Sequence, residues 1–233
     1  MSWLQHLINI FKPKSVTVNT QPISPVAPVT PVAPVTPVTP VAPVTPSPAQ
    51  PDPFTDTALP LILVFEGGYT NNPNDHGGAT NYGIIQREYD AWRTEKKLPT
   101  QDIRGILMTE VQEIYLNKYW RPSMCDKMAV QAATAVFDTS VNAGQGRSVM
   151  LLQQAVGAHV DGVIGPETLG KLAAQDPKAV ANTFMDNREA FYKAIVAHDP
   201  TQQEFFGGWM RRVKYLRAYV NGEMTVDQIR KAW

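Results

Sequence analysis

Between Pro25 and Pro46 the chain reads PVAPVTPVAPVTPVTPVAPVTP, with proline at every third position. Proline fixes φ near −65° and has no N–H to donate, so this stretch can be neither helix interior nor central strand. Its period matches the three residues per turn of polyproline II, which lines the prolines along one edge of an extended rod. At about 3.1 Å per residue the repeat spans on the order of 70 Å. Of the 20 prolines in the chain, 13 lie from Pro13 to Pro53. The remaining C-terminal stretch of roughly 180 residues has ordinary globular composition and is long enough for one sizeable core. The expected organisation is a short segment at 1–12, a proline-rich linker at 13–53 and one domain at 54–233.

Ahead of the linker, residues 2–12 (SWLQHLINIFK) fit an amphipathic helix. At 100° per residue, Trp3, Leu4, Leu7, Ile8, Ile10 and Phe11 fall on one side, and Ser2, Gln5, His6, Asn9 and Lys12 on the other. The segment reads either as a docking helix for a membrane surface or protein, or as a frayed terminus. It lacks the basic start and small-residue cleavage site of a secretory signal, so cytoplasmic synthesis without a cleavable signal peptide is expected.

Charge and cysteine content narrow the classes. Lys+Arg and Asp+Glu are 21 each, whereas a nucleic-acid binder carries a basic excess. Cys125 is the single cysteine, which excludes an intrachain disulfide. The four histidines, His6, His76, His159 and His198, are scattered and show no HExxH, so neither a metal nor another cofactor is expected. A cysteine peptidase would need Cys125 paired with His159 or His198, and no activating signature surrounds it.

From Phe54 onward the pattern is mainly helical. Asp56 or Thr57 is placed to cap a helix containing Leu61, Ile62, Val64 and Phe65, and Gly67-Gly68 stops it. Residues 69–83 (YTNNPNDHGGATNYG) are dense in turn formers and read as a small hairpin or irregular lobe. Further helices are expected over 84–96, Thr109–Tyr119, Ala129–Asn142, Arg147–Val156, from Pro166, Pro177–His198 and Gly208–Val220. The fold class expected is a mostly α-helical α+β domain with one small irregular lobe.

Glycoside cleavage needs two acidic groups in different environments, one protonated and one charged. Glu66 follows Leu61-Ile62-Leu63-Val64-Phe65 at a helix C-terminus. Low polarity and the negative end of the helix dipole both disfavour its ionisation there. Asp75 lies in a polar, turn-rich segment that stays solvated. Gly67-Gly68 and the Asn-Pro turn let the chain double back, so that Asp75 can face Glu66. Thr80 offers a hydroxyl to place a water, and Tyr69 and Tyr82 offer flat faces for sugar rings. A glutamate before Gly-Gly is equally a polar helix end, and an aspartate in such a loop an Asx-turn residue.

The string EGGYTNNPNDHGGATNYGI, residues 66–84, resembles the signature of glycoside hydrolase family 108, a group of N-acetylmuramidases of phages and prophages. The Glu66, Asp75, Thr80 order, with eight and then four intervening residues, is similar to the Glu/Asp/Thr triad of phage T4-type lysozymes, where the second gap is usually five. FDTSVNAG (137–144) and VDGVIGPETL (160–169) resemble the family's second block and its peptidoglycan-binding segment. The resemblance spans residues 55–228. It implies a lysozyme-like fold with Glu66 as general acid, Asp75 activating water and Thr80 assisting. It also implies cleavage of the MurNAc–GlcNAc β-1,4 bond of peptidoglycan glycan strands, at the cell wall or periplasm. A catalytic part over 54–135 and a binding-like part over 136–228 are expected to share one core, and the enzyme to act as a monomer without nucleic acid. A lytic transglycosylase, or a non-catalytic wall-binding or secretion adaptor, are the alternatives.

Asp138 and Asn142 are four apart and share a helix face. That face either lines the cleft, which would make both substrate-binding, or bonds a neighbouring loop. Arg211, Arg212, Lys214 and Arg217 read as a basic, solvated helix face or as a contact for anionic polymer.

Overall fold

The protein's computed structural model describes residues 51–71 and 78–233. The expectations for residues 2–12, for the proline repeat and for Asp75 fall outside the described residues.

The first helical segment begins about one turn earlier than the sequence suggests. Asp52, not Asp56 or Thr57, is the cap: its carboxylate accepts the N–H groups of Phe54 at 3.0 Å and Thr55 at 2.7 Å. Pro53, at the first helical position with its φ already set, belongs to a wide turn over Pro53–Ala58. This leads into α1, Leu59–Glu66. Gly67, at φ +75°, ends α1 and donates its N–H to Leu63 O at 3.2 Å.

Among the described residues, the irregular lobe ends in a short hairpin. Strands β1 (Thr80–Asn81) and β2 (Ile84–Ile85) pair antiparallel, Thr80 opposite Ile85 and Asn81 opposite Ile84. The two turn residues, Tyr82 and Gly83, have φ of +50° and +75°. Both values being positive is the signature of a type I′ turn, which matches the twist of its flanking strands. Two side chains fasten the lobe. Asn81 donates to Ile103 O at 3.2 Å, and Gln86 accepts the Ile103 N–H at 2.7 Å while donating to Gln101 O at 2.9 Å.

Helix α2 (Gln86–Glu95) comes directly after β2. Helix α3 (Met108–Tyr115) starts at Met108 because Glu110 accepts the Leu107 N–H at 2.9 Å, leaving Thr109 inside the helix. It continues as a wide turn, Leu116–Trp120. Helix α4 (Val130–Ala143) is buried without a break from Ala132 to Asn142, which makes it the axis of the domain. Phe54, Trp120 and Phe137 meet pairwise against it, with ring centroids 5.3–5.6 Å apart.

Helices α5 (Gln145–Val156), α7 (Pro177–His198) and α8 (Gln203–Val220) pack on α4, and α6 (Pro166–Ala173) packs on α5. Helix α8 starts five residues before the expected Gly208, since Trp209 beyond the Gly207-Gly208 pair is buried and packing overrides weak local propensity. A last helix, α9 (Val226–Ala232), is an addition to the expected set, although T-V-D-Q carries its capping box. The Thr225 hydroxyl accepts the Gln228 N–H at 3.3 Å, and the Gln228 side chain accepts the Thr225 N–H at 2.8 Å. The result is the expected mostly helical α+β class. Its hydrophobic core runs continuously from Phe54 through Phe137 and Phe184 to Ile229.

Candidate active site

Glu66 is the last residue of α1, and its side chain is 5 % exposed. The apolar run before it buries Leu61, Ile62 and Phe65, which draws the carboxyl toward the interior. The surroundings are not of low polarity, however. Glu66 Oε1 accepts a hydrogen bond from Arg212 Nη2 at 2.8 Å. Arg212 comes from α8, 146 positions later in the chain, and is 1 % exposed.

Arg212 is itself held from behind. Its Nε donates to both carboxylate oxygens of Asp138, at 2.9 and 3.2 Å. Asp138, on α4, also accepts from Arg188 Nη1 on α7 at 2.5 Å. Arg188 further donates to Asn142 Oδ1 at 3.1 Å and to the Tyr192 hydroxyl at 2.9 Å, and Tyr192 donates to Asn142. Two guanidinium groups thus face two carboxylates in the interior, which is how buried charge is made tolerable.

Asp138 and Asn142 therefore do not line a cleft. At 0 % and 2 % exposure they fasten α4 to α7 and α8, and a glycan cannot reach them. Arg212 escapes sequence reasoning as a site residue because it stands in a basic run. Its helical phase is the available signal, since Trp209, Arg212, Val213, Leu216 and Val220 share the buried face of α8. Arg217 is tied to Asp186 at 2.8 Å and Glu189 at 3.0 Å, and the Arg211 guanidinium lies over the Trp233 ring. The run is not a basic patch.

Electrostatics follow the geometry. Burial opposes ionisation of Asp138, but Arg212 and Arg188 outweigh it and hold this carboxyl below its ordinary 3.8. Burial likewise opposes the charge on Arg212, and Asp138 and Glu66 more than offset it, so the guanidinium is raised above its usual value. Burial, with Glu66 nearby, pushes the Tyr115 hydroxyl well above 10.

These directions predict a pH dependence. A carboxyl held low in the folded state contributes stability above the unfolded value of 3.8 and loses it as pH falls through the folded value. The melting temperature of the wild type is expected to fall in that acid range. Asp138→Asn is expected to melt lower at neutral pH and to flatten the acid limb. Melting curves between about pH 2 and 7 decide it, and an unchanged acid limb in the variant would refute the assignment.

The other oxygen of Glu66 faces the hairpin turn. A Cβ on Gly83 would lie 2.8 Å from Glu66 Oε2 and 2.7 Å from the Tyr115 hydroxyl. Only glycine allows this approach. Tyr115 donates to Tyr82 O at 2.7 Å, which pins the turn in place. The structure thus brings Glu66, Tyr82 and Gly83 together. Thr80 sits one strand away, its backbone paired with Thr70 in both directions at 2.8 Å and its hydroxyl 3.4 Å from Gly78 O. Tyr69 is 43 % exposed, and the Arg104 guanidinium covers its ring at 5.5 Å.

A groove of about 540 Å³ runs along α1 from Leu59 to Gly67 and Gly68, with Tyr82, Met108 and Trp233 on its walls. Glu66 is not part of its wall; the groove starts at the residues just after it in the chain. Among the described residues no cluster of three or more His, Cys, Asp or Glu side chains is placed to hold a metal ion. Cys125 is buried, and burial with Asp126 beside it pushes its thiol far up, which is the opposite of an activated nucleophile.

The chain has counterparts among known proteins. Residues 59–144 match the family described as glycosyl hydrolase 108, and residues 147–214 match one described as a predicted peptidoglycan domain. No curated protein matches the chain. Among solved structures, SagA of Brucella abortus is 32 % identical, with a TM-score of 0.59 and an alignment covering 71 % of this chain and 92 % of that one. The first match contains Glu66, the hairpin and Asp138, and the second ends at Lys214, just beyond Arg212. The ion pair that fixes the candidate acid therefore joins the two matched segments, and the chain belongs to the glycosyl hydrolase 108 family as a glycoside hydrolase acting on peptidoglycan.

Proposed function

We propose that the protein is an N-acetylmuramidase that hydrolyses the MurNAc–GlcNAc β-1,4 bond, with Glu66 as general acid. The observation that carries this reading is the fixed carboxyl of Glu66. Arg212 holds Oε1 at 2.8 Å, and Oε2 is left toward the hairpin turn. A proton on Oε2 is then oriented without being consumed by the ion pair. Donation to the bridging oxygen leaves a carboxylate, and the buried cluster of Glu66, Asp138, Arg188 and Arg212 becomes charge-balanced. Asp75 is the proposed partner that activates water or stabilises the sugar cation, with Thr80 assisting. Tyr69 and Tyr82 are the proposed sugar platforms. Peptidoglycan is the substrate partner. Among the described residues no helix is long and apolar enough to cross a membrane.

Mass spectrometry of the muropeptides released from purified peptidoglycan tests the reaction class. Hydrolysis gives reducing muramic ends, one water heavier than the anhydro ends of a lytic transglycosylase. Anhydro products would overturn the proposal in favour of transglycosylation.

The close approach of Gly83 gives a second test. Gly83→Ala places a methyl into the Glu66 and Tyr115 oxygens at a φ of +75°. Left-handed backbone costs about 1–2 kcal/mol for a non-glycine residue, and a displacement of about 1 Å costs on the order of a hundredfold in rate. Turnover is expected to fall by about two orders of magnitude, well beyond the effect of the modest loss in melting temperature. Near-native turnover would mean that the turn does not set the position of the acid.

A further inference from the structure

The groove along α1 is lined largely by apolar side chains, of which Leu59 is buried and Leu63, Val64 and Trp233 are half-buried. Leu59, Leu63, Val64 and Trp233 wall it, Met108 is 41 % exposed at its edge, and the adjoining Leu107 is 61 % exposed. Its volume of about 540 Å³ lies within the range of true binding sites rather than surface dimples.

Thr55 also lines this groove. It stands three residues after Asp52, where the proline-rich arm joins the domain. The arm therefore emerges beside the groove, and its far end carries the six apolar side chains of Trp3, Leu4, Leu7, Ile8, Ile10 and Phe11. An eleven-residue helix is marginal in isolation and gains stability by burying such a face. Between Lys12 and Asp52 the extended chain reaches roughly 120 Å at about 3.1 Å per residue. A domain of this size has a radius of gyration of only about 16 Å. Proline occupies one position in three of the repeat, with Val, Ala and Thr between, and polyproline II keeps its direction over only several residues, so the arm can turn back. Tethering at the groove's rim gives the segment an effective concentration on the order of millimolar.

We propose that residues 2–12 of the chain dock, as an amphipathic helix, into the apolar groove between α1, α3 and Trp233 of the same molecule. This is the helix-in-groove mode of recognition, in which side chains spaced three and four apart fill a hydrophobic trough.

Thiol labelling of the full chain tests this. Cys125 is buried with its thiol pushed up, so it contributes little background. Met108→Cys places a reporter at the groove edge, and its labelling rate is measured with the native segment and with Leu7→Asp plus Phe11→Asp. Those two changes lie outside the domain and leave its fold intact, which circular dichroism checks. The native segment is expected to slow labelling about tenfold or more, to the same extent over a roughly hundredfold range of protein concentration. Equal rates in the two proteins would overturn the proposal. So would protection that grows with concentration, the mark of a second copy docking. Protection seen only with anionic phospholipid vesicles would likewise overturn it, in favour of a membrane-docking segment. No substrate is involved, so the outcome is independent of the muramidase assignment.

Discussion

Glu66→Gln is expected to reduce glycosidase turnover on purified peptidoglycan by about 10²–10⁴-fold, the contribution of a positioned general acid. The amide keeps an oxygen that accepts from Arg212 Nη2, so the 2.8 Å contact survives. What it cannot do is carry and release the proton. The proton-carrying acid and the amide are both neutral, so the charges of Asp138, Arg188 and Arg212 are unaltered and thermal stability should stay close to that of the wild type. Circular dichroism and wall binding are expected to stay native. A variant that folds, binds the wall and keeps more than a tenth of wild-type turnover would remove Glu66 from the chemistry. It would leave the domain as the wall-binding adaptor that the sequence also allows.

The largest stability effect is expected at Asp138. Asp138→Ala leaves Arg188 and Arg212, both at or below 1 % exposure, without their shared counter-ion. Removing one partner of a buried ion pair costs about 3–5 kcal/mol, because the charge left behind stays desolvated. For a domain of this size each kcal/mol lowers the melting temperature by about 2–4 °C, so a drop on the order of 10 °C is predicted. Adding Arg188→Met to Asp138→Ala should recover part of it, since one stranded charge is then removed. A fall of less than 2 °C for Asp138→Ala, or no recovery in the double variant, would show that the cluster is not the electrostatic keystone of the core.

Much of the architecture is legible in the sequence because it depends on local signals. The ends of α4 and α5 fall where Gly144 and Gly157 mark them, and α6 and α7 start at Pro166 and Pro177. The start of α8 is not legible in this way, because Gly207-Gly208 is a strong local breaker and only the burial of Trp209 against the core overrides it. The candidate acid stands out through its position after an apolar run and before Gly67-Gly68. Its environment does not, because Arg212 lies 146 residues away and nothing local to either residue announces the pairing. The spacing of Asp138 and Asn142 places them on one helix face. Whether that face looks at solvent or at two arginines is a tertiary fact, and the structure gives the arginines.

The pairing of Glu66 with Arg212 also bears on when the candidate acid becomes fixed. Chains emerge from the ribosome N-terminus first, so the acid is synthesised well before the guanidinium that orients it. A nascent or prematurely terminated chain that stops short of residue 212 contains every residue from Glu66 through the hairpin, yet lacks the clamp on the carboxyl. The two segments cannot be exchanged as independent modules either: a graft of a foreign C-terminal half would have to bring an arginine to the same place on α8 and another to meet Asp138. The complete buried cluster of Glu66, Asp138, Arg188 and Arg212 thus forms late in synthesis and all at once, and it sits in the junction between the two halves rather than in either.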